Sequence, residues 1–195
     1  MNPRSAPAAT APSQPWWRRV PWLTVAILTA LLSYNILFAV RHDSDAAISP
    51  LVGRAAPVFA LPVLDTSATR SLASSQGKVT LIDFWSTGCG PCKRELPSIA
   101  ALRTELAGES FELLSVNVDV DAPGRASQIR QVLAQAGAQL PVLLDDGSAS
   151  AQYSVSRIPM KVLVNRAGRV AKVYVGTTDE DQLRAQIAAE LASGG

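Results

Sequence analysis

Val79-Thr80-Leu81-Ile82-Asp83-Phe84-Trp85-Ser86-Thr87-Gly88-Cys89-Gly90-Pro91-Cys92-Lys93 carries both cysteines of this 195-residue chain. Its first half, Val79 to Phe84, is apolar except at Thr80 and Asp83 and reads as a buried strand. Lys93 to Leu106 reads as a helix. A Cys-x-x-Cys pair at a strand-to-helix junction is suited to thiol–disulfide exchange. The helix start offers free N–H groups and partial positive charge to the first sulfur, which favours thiolate over thiol. The second sulfur, one turn on, can close the internal disulfide and release a partner. A purely structural disulfide is the competing reading. By loop entropy a four-residue loop gains only about 2 kcal/mol, against about 4.7 for a 100-residue loop, so a staple would link distant segments instead.

Composition removes several classes. A formal net charge of +2, with dispersed Lys and Arg, gives no basic surface for nucleic acid. Two cysteines are too few for a disulfide scaffold, and one pair cannot supply four zinc ligands. The single histidine, His42, lies far off in sequence and has no assigned role. Asn117-x-Asp119-x-Asp121 has the opening spacing of a calcium loop, but Ala122 stands where glycine is needed and no closing Glu follows. It reads as a strand end and a polar loop. No metal and no cofactor are expected.

Residues 1–19 are rich in Pro, Ala, Ser and Thr and read as a disordered cytoplasmic tail. Val20 to Val40 has no formal charge, about the length that crosses a bilayer. Trp16, Trp17 and Trp22 flank its start, and Arg18-Arg19 precede it. Arg41 alone follows closely, beside Asp43 and Asp45, so the positive-inside bias places the following domain across the membrane. A cleaved signal peptide competes, but its apolar core is shorter and needs a small-x-small site, which Phe38-Ala39-Val40-Arg41 does not provide. A single-pass anchor over residues 20–40 is the expectation, with residues 41–54 as a linker.

Residues 55–192 carry the pattern of one α/β domain. Ala55 to Pro62 reads as a proline-broken edge strand and Thr66 to Arg70 as a turn. Strands follow over Lys78–Trp85, Phe111–Val118, Leu140–Leu144, Lys161–Asn165 and Val170–Val175. Helices are predicted over Cys89–Leu106, over Ser127–Ala136 with Ile129, Val132 and Leu133 inward, and from Thr178 with Leu183, Ile187 and Leu191 inward. Thr178 and Asp181 form the helix-start signal, and Asn165-Arg166-Ala167-Gly168 reads as a hairpin turn. This order implies a central mixed sheet with helices on both faces.

The run Asp83 to Lys93 resembles the thioredoxin active site. Its continuation Arg94-Glu95-Leu96-Pro97 resembles the membrane-anchored, exported TlpA/ResA/DsbE-like branch of that superfamily. Ile158-Pro159, followed by a strand and the Ala167-Gly168 hairpin, is similar to the family's cis-proline loop. The resemblance implies a thioredoxin-like fold. It makes Cys89 the nucleophile and Cys92 the resolving cysteine. Asp83 becomes the proton acceptor for Cys92, since a buried carboxylate has a raised pKa. Glu95 is a candidate to tune the thiols, with an ordinary surface acid as the alternative. Pro97 would kink the helix. Trp85, Gly90, Pro91, Ile158 and Pro159 would form the surface that receives substrate, with Trp85 shielding the dithiol. A cis Ile158-Pro159 bond would set Ile158 backbone groups against an extended client segment. The chain departs from the family where an aromatic usually precedes the first cysteine, which is Gly88 here. It also lacks the acidic Gly-x-Pro-Glu loop of cytochrome c maturation thioredoxins, reading Arg157-Ile158-Pro159-Met160-Lys161 instead.

The expectation is a periplasmic, inner-membrane-tethered thiol:disulfide oxidoreductase that works chiefly as a protein-disulfide reductase. The resemblance implies exported disulfide proteins as acceptors, apocytochrome c among them, and a transmembrane thiol transporter as donor. Two rivals stand beside it. One is an oxidase or isomerase; the other is a binding or holdase module with incidental redox activity.

Overall fold

The computed structural model describes residues 22–43 and 49–193, which fall in two units, Met1–Asp45 and Ala46–Gly195. In the first, helix α1 spans Trp22–Asp43, within the run expected to anchor the chain. Among the described residues no helix is long and apolar enough to cross a membrane; the side chains of residues 23 and 35–43, His42 included, lie outside that set. The tail expected over residues 1–19 also lies outside the described residues.

The second unit runs β1 (Ala60–Pro62), β2 (Thr69–Ser71), β3 (Val79–Trp85), α2 (Gly90–Glu105), β4 (Phe111–Asn117), α3 (Arg125–Ala136), β5 (Val142–Leu144), α4 (Ser148–Gln152), β6 (Met160–Val164), β7 (Val170–Val175) and α5 (Glu180–Ala192). Five strands form one mixed sheet in the order β5-β4-β3-β6-β7. β3 pairs parallel with β4, and β4 with β5, while β3–β6 and β6–β7 are antiparallel. This is the thioredoxin-like α/β arrangement. β3 is central and buried at all seven positions, which is why it reads as a nearly continuous apolar run.

Side chains alternate across β3. Val79, Leu81 and Trp85 pack with Leu96, Ile99 and Leu102 of α2, Ile129 and Val132 of α3, and Leu183 and Ile187 of α5. Ile82 and Phe84 enter a second core with Phe59, Leu61, Leu72, Ala149 and Tyr153. By the same period, Asp83 falls on the α2 face of the sheet.

Several local expectations need correction. The edge strand expected over 55–62 is ladder-paired only at Ala60–Pro62, with an isolated bridge from Ala55 to Arg169. Within the expected turn over 66–70, residues from Thr69 belong to β2, which pairs antiparallel with β1. β2 is polar and mostly exposed, so it carries no apolar alternation to read. α4 carries no sequence signal, because five residues are too few to show a helical period. Its start is secured by the buried carboxylate of Asp145, which accepts from the N–H groups of Ala149 and Ser150. α5 is capped by Asp179, whose side chain accepts from Gln182 N, in place of the Thr178–Asp181 signal. The end of the expected linker is bonded into the domain: Gly53 N donates to Val170 O, and Val170 N donates to Arg54 O. The hairpin between β6 and β7 closes with Gly168 N donating to Asn165 O. Its Gly168 has φ +72, a conformation that favours glycine.

Candidate active site

The dithiol sits where β3 ends and α2 begins. Cys89 is the N-cap of α2, with extended backbone, and its Sγ accepts from the backbone N–H of Cys92 at 3.1 Å. Pro91 occupies the first turn, where its missing N–H leaves no helical bond unmade. Cys89 and Cys92 are disulfide-bonded. Cys89 is half-buried and Cys92 only 2% exposed. An incoming disulfide can therefore meet only the first sulfur.

The loop leading to Cys89 is fixed by Asp119, from the polar run whose spacing only begins like a calcium loop. Its carboxylate accepts from Ser86 Oγ at 2.5 Å, Thr87 N at 2.8 Å and Asn117 Nδ2 at 2.9 Å. Burial opposes ionisation of this carboxyl, but the bonds from Ser86, Thr87 and Asn117 outweigh it and hold its pKa below the usual range. Arg125 braces the arrangement by donating from Nε to Asn117 Oδ1 and from Nη1 to Asp145 O. The side-chain oxygens of Asn117 and Asp119 are engaged by protein donors. Among the described residues no acidic, His or Cys cluster is arranged to hold a metal ion.

Gly88 donates from its N–H to Ser86 Oγ. A Cβ at Gly88 would meet only Ser86 Oγ, at 3.7 Å. The backbone therefore does not demand glycine there, and the bare surface beside Cys89 is a property of this sequence.

The Ile158-Pro159 peptide is cis, as the resemblance implies. Ile158 is half-buried and packs on the core that includes Cys89 and Cys92. Pro159 is buried, and its carbonyl accepts from Gly176 N. Gly90 and Pro91 remain accessible beside Cys89. Trp85 does not: it is 1% exposed, with Nε1 donating to Ser115 Oγ at 2.9 Å. It walls the dithiol from within and forms no part of a substrate surface, which corrects that expectation. The reason is the strand period, which sends Trp85 into the core behind α2.

Asp83 is 3% exposed, so it is not a solvated strand residue. Burial pushes its pKa from the ordinary 3.8 up to about 6, opposed by Lys161 and reinforced by Glu95. Glu95 is no free surface acid either. One oxygen accepts from Lys161 Nζ and the other from Thr178 N, each at 2.8 Å. Pro97 lies within α2, which continues through it to Glu105.

Two residues of this site have no role assigned from the sequence, Asp119, which reads there as part of a polar loop, and Lys161. Lys161 had a signal: it is a charged residue at an inward position of an otherwise apolar strand, as Asp83 is. A buried charge in a core requires an opposite partner, so each pointed to the other.

The Redoxin family model matches residues 51–190. The chain is similar to the thiol-disulfide oxidoreductase ResA of Bacillus subtilis, at 33% identity over 159 residues, which covers 80% of this chain and 84% of that protein. Among solved structures it is similar to StoA of B. subtilis, with TM-score 0.57 and 26% identity over 70% of this chain and 98% of that one. It is also similar to a candidate thiol:disulfide interchange protein DsbE of Chlorobium tepidum, with TM-score 0.63 and 31% identity over 70% and 95% of the two chains.

Proposed function

Because this chain belongs to the Redoxin family, in the ResA/DsbE-like branch of the thioredoxin superfamily, and is a thiol-disulfide oxidoreductase, we propose that it reduces disulfides of exported proteins from a membrane-tethered position on the periplasmic side. The observation that carries the chemistry is the asymmetry of the dithiol, with an accessible Cys89 at the helix start and a buried Cys92 behind it.

The cycle starts from the reduced pair. The Cys89 thiolate attacks one sulfur of a client disulfide; a new S–S bond forms and one client thiolate leaves. The client segment lies along Ile158 and the cis Pro159, with Gly90 and Pro91 leaving Cys89 open to it. Asp83 then takes the proton of the Cys92 thiol. The Cys92 sulfur attacks Cys89 Sγ, and the second client thiolate departs with the bonding electrons. The protein dithiol has lost two electrons and the client disulfide has gained them.

The charge-free run Val20–Val40 and its Arg18-Arg19 flank support a single-pass anchor. A tether is useful when the electron donor is itself in the membrane, since confinement raises effective concentration. A transmembrane thiol transporter is the donor of that description, and apocytochrome c is one client in keeping with the branch. The Gly90-Pro91 dipeptide, shared with reducing thioredoxins, favours the reductive direction.

The test is a Cys92→Ala variant of the full chain expressed in its own host. It should accumulate mixed disulfides at Cys89 with exported proteins, and the intact protein should show a reduction potential on the reducing side of its compartment. Capture of no exported protein, or a potential in the range of dedicated oxidases, would reject the reductive role.

A further inference from the structure

Asp83 and Lys161 are register partners across the antiparallel pair β3–β6, so their side chains share the α2 face of the sheet. Lys161 is 1% exposed. Its Nζ lies 2.8 Å from Glu95 Oε2 and 4.0 Å from Asp83 Oδ1. Glu95 is held at its other oxygen by Thr178 N, which draws the ammonium toward α2 and away from Asp83. Three charged groups from β3, β6 and α2 thus meet in one buried cluster on the face of the sheet covered by the helix that carries the dithiol.

We propose that Lys161 is a positioning residue for the resolution step, keeping Asp83 ionised and ready to take the Cys92 proton, and that Glu95 acts through Lys161 to limit that effect. The inference rests on the reading of Asp83 as the proton acceptor. A carboxyl buried alone would stay protonated near neutral pH and could accept nothing. A carboxylate in a close, unshared ion pair would be too weak a base, since a general base works best with its pKa near the operating pH. Lys161 shared between two carboxylates lies between these limits. The opposed influences of Lys161 and Glu95 on Asp83 agree with this arrangement.

The further charges of the neighbouring elements gather at Tyr174, and those that act on Asp83 are Lys161 and Glu95. β4 contributes Ser115, the other register partner of Asp83, whose hydroxyl is engaged by Trp85. β7 contributes Tyr174, the register partner of Lys161, whose phenol burial keeps neutral, assisted by Glu190, and Lys172, whose Nζ lies 5.0 Å over the Tyr174 ring. α5 contributes the apolar Leu183 and Ile187, and α2 adds Cys92 itself. The cation on β6 and the two carboxylates make up the charge balance around Asp83.

The experiment uses the reduced full-length protein in detergent and 5,5′-dithiobis(2-nitrobenzoate), followed by stopped flow across pH. Attack by Cys89 releases the first coloured thiolate and resolution by Cys92 releases the second, so the two steps are read separately. Lys161→Met should move the midpoint of the second phase up by about one pH unit, and Glu95→Gln should move it down. Lys161→Arg, which keeps the cation, should restore most of the wild-type profile. The carboxyl titration of Asp83, read by ¹³C NMR on the oxidised protein, should shift in the same two directions without any turnover. A structural role alone would slow the variants without shifting the midpoints in opposite senses. Shifts in one common direction, or none, would overturn the proposal. Opposite NMR shifts with an unmoved second phase would overturn the role in resolution and count against Asp83 as acceptor, while leaving the assignment of the dithiol untouched.

Discussion

The backbone N–H of Cys92 points at Sγ of Cys89 across 3.1 Å. The resolving residue thereby offers a hydrogen bond to the nucleophile before it ever attacks it. In the reduced protein the same donor, with the helix dipole, stabilises a thiolate on Cys89, while Cys92 sits buried among apolar neighbours that favour its thiol.

Cys89 is therefore expected to titrate below the free-cysteine value of about 8.5, and Cys92 at or above it. Iodoacetamide alkylation of the reduced protein against pH, with the modified residue identified by mass spectrometry, checks this. Faster labelling of Cys92 at neutral pH would exchange the two roles.

Asp83→Asn should slow resolution by roughly tenfold or more and leave the first attack of Cys89 nearly unchanged, because only resolution needs a proton acceptor. Single-turnover kinetics with separate phases measure both steps. An unchanged second phase would remove Asp83 from the mechanism.

The same substitution should stabilise the fold. The folded pKa of Asp83 is raised from 3.8 to about 6, so the native state binds the proton more tightly than the unfolded chain does. Stability is then fully present below about pH 4 and lost as pH rises through 6. At about 1.36 kcal/mol per unit, the cost at pH 7 is on the order of 3 kcal/mol. Urea unfolding of the oxidised protein should show Asp83→Asn more stable than wild type at pH 7.5 and the difference vanishing near pH 4. Parallel curves at both pH values would contradict the buried, desolvated carboxyl.

Asp119→Ala should loosen the loop before Cys89, since Ser86 Oγ, Thr87 N and Asn117 Nδ2 all lose their acceptor. A loss of roughly 1–3 kcal/mol is expected for the orphaned donors, with faster amide exchange at Thr87. The Asp119 carboxyl is held below its ordinary pKa, so its contribution is present above about pH 4 and fades as pH falls through the folded value. Unaltered exchange at Thr87 would mean the loop is held by other contacts.

The proposed anchor can be checked from the protein itself. Mature chain should keep Met1 or Asn2 at its N-terminus and fractionate with the inner membrane. A mature end between Ala39 and Ala47 would instead mark a free exported protein. A chain starting at Ser49 should fold and keep redox activity. One starting at Pro57 should melt lower, because it lacks the bonds of Gly53, Arg54 and Ala56 to the Gly168–Val170 segment.

The dithiol, the strand and helix that present it and the succession of the main strands along the chain are legible in the sequence, from an apolar run of strand length and a cap position followed by proline. The cis-proline loop is legible only through the family resemblance of Ile158-Pro159, and the order of the strands within the sheet is not legible at all. Elements without such a signal stayed hidden, as with the polar β2 and the five-residue α4. Which residues face one another is set by packing and register. Register set Lys161 opposite Asp83, and helix packing brought Glu95 onto both Lys161 and Thr178. The turn after β4 carried Asp119 to the loop before Cys89, across 32 residues of chain. A charge in a sequence reports its own sign and its local period, but its pKa and its role follow from burial and from the charges that folding places within a few ångströms of it.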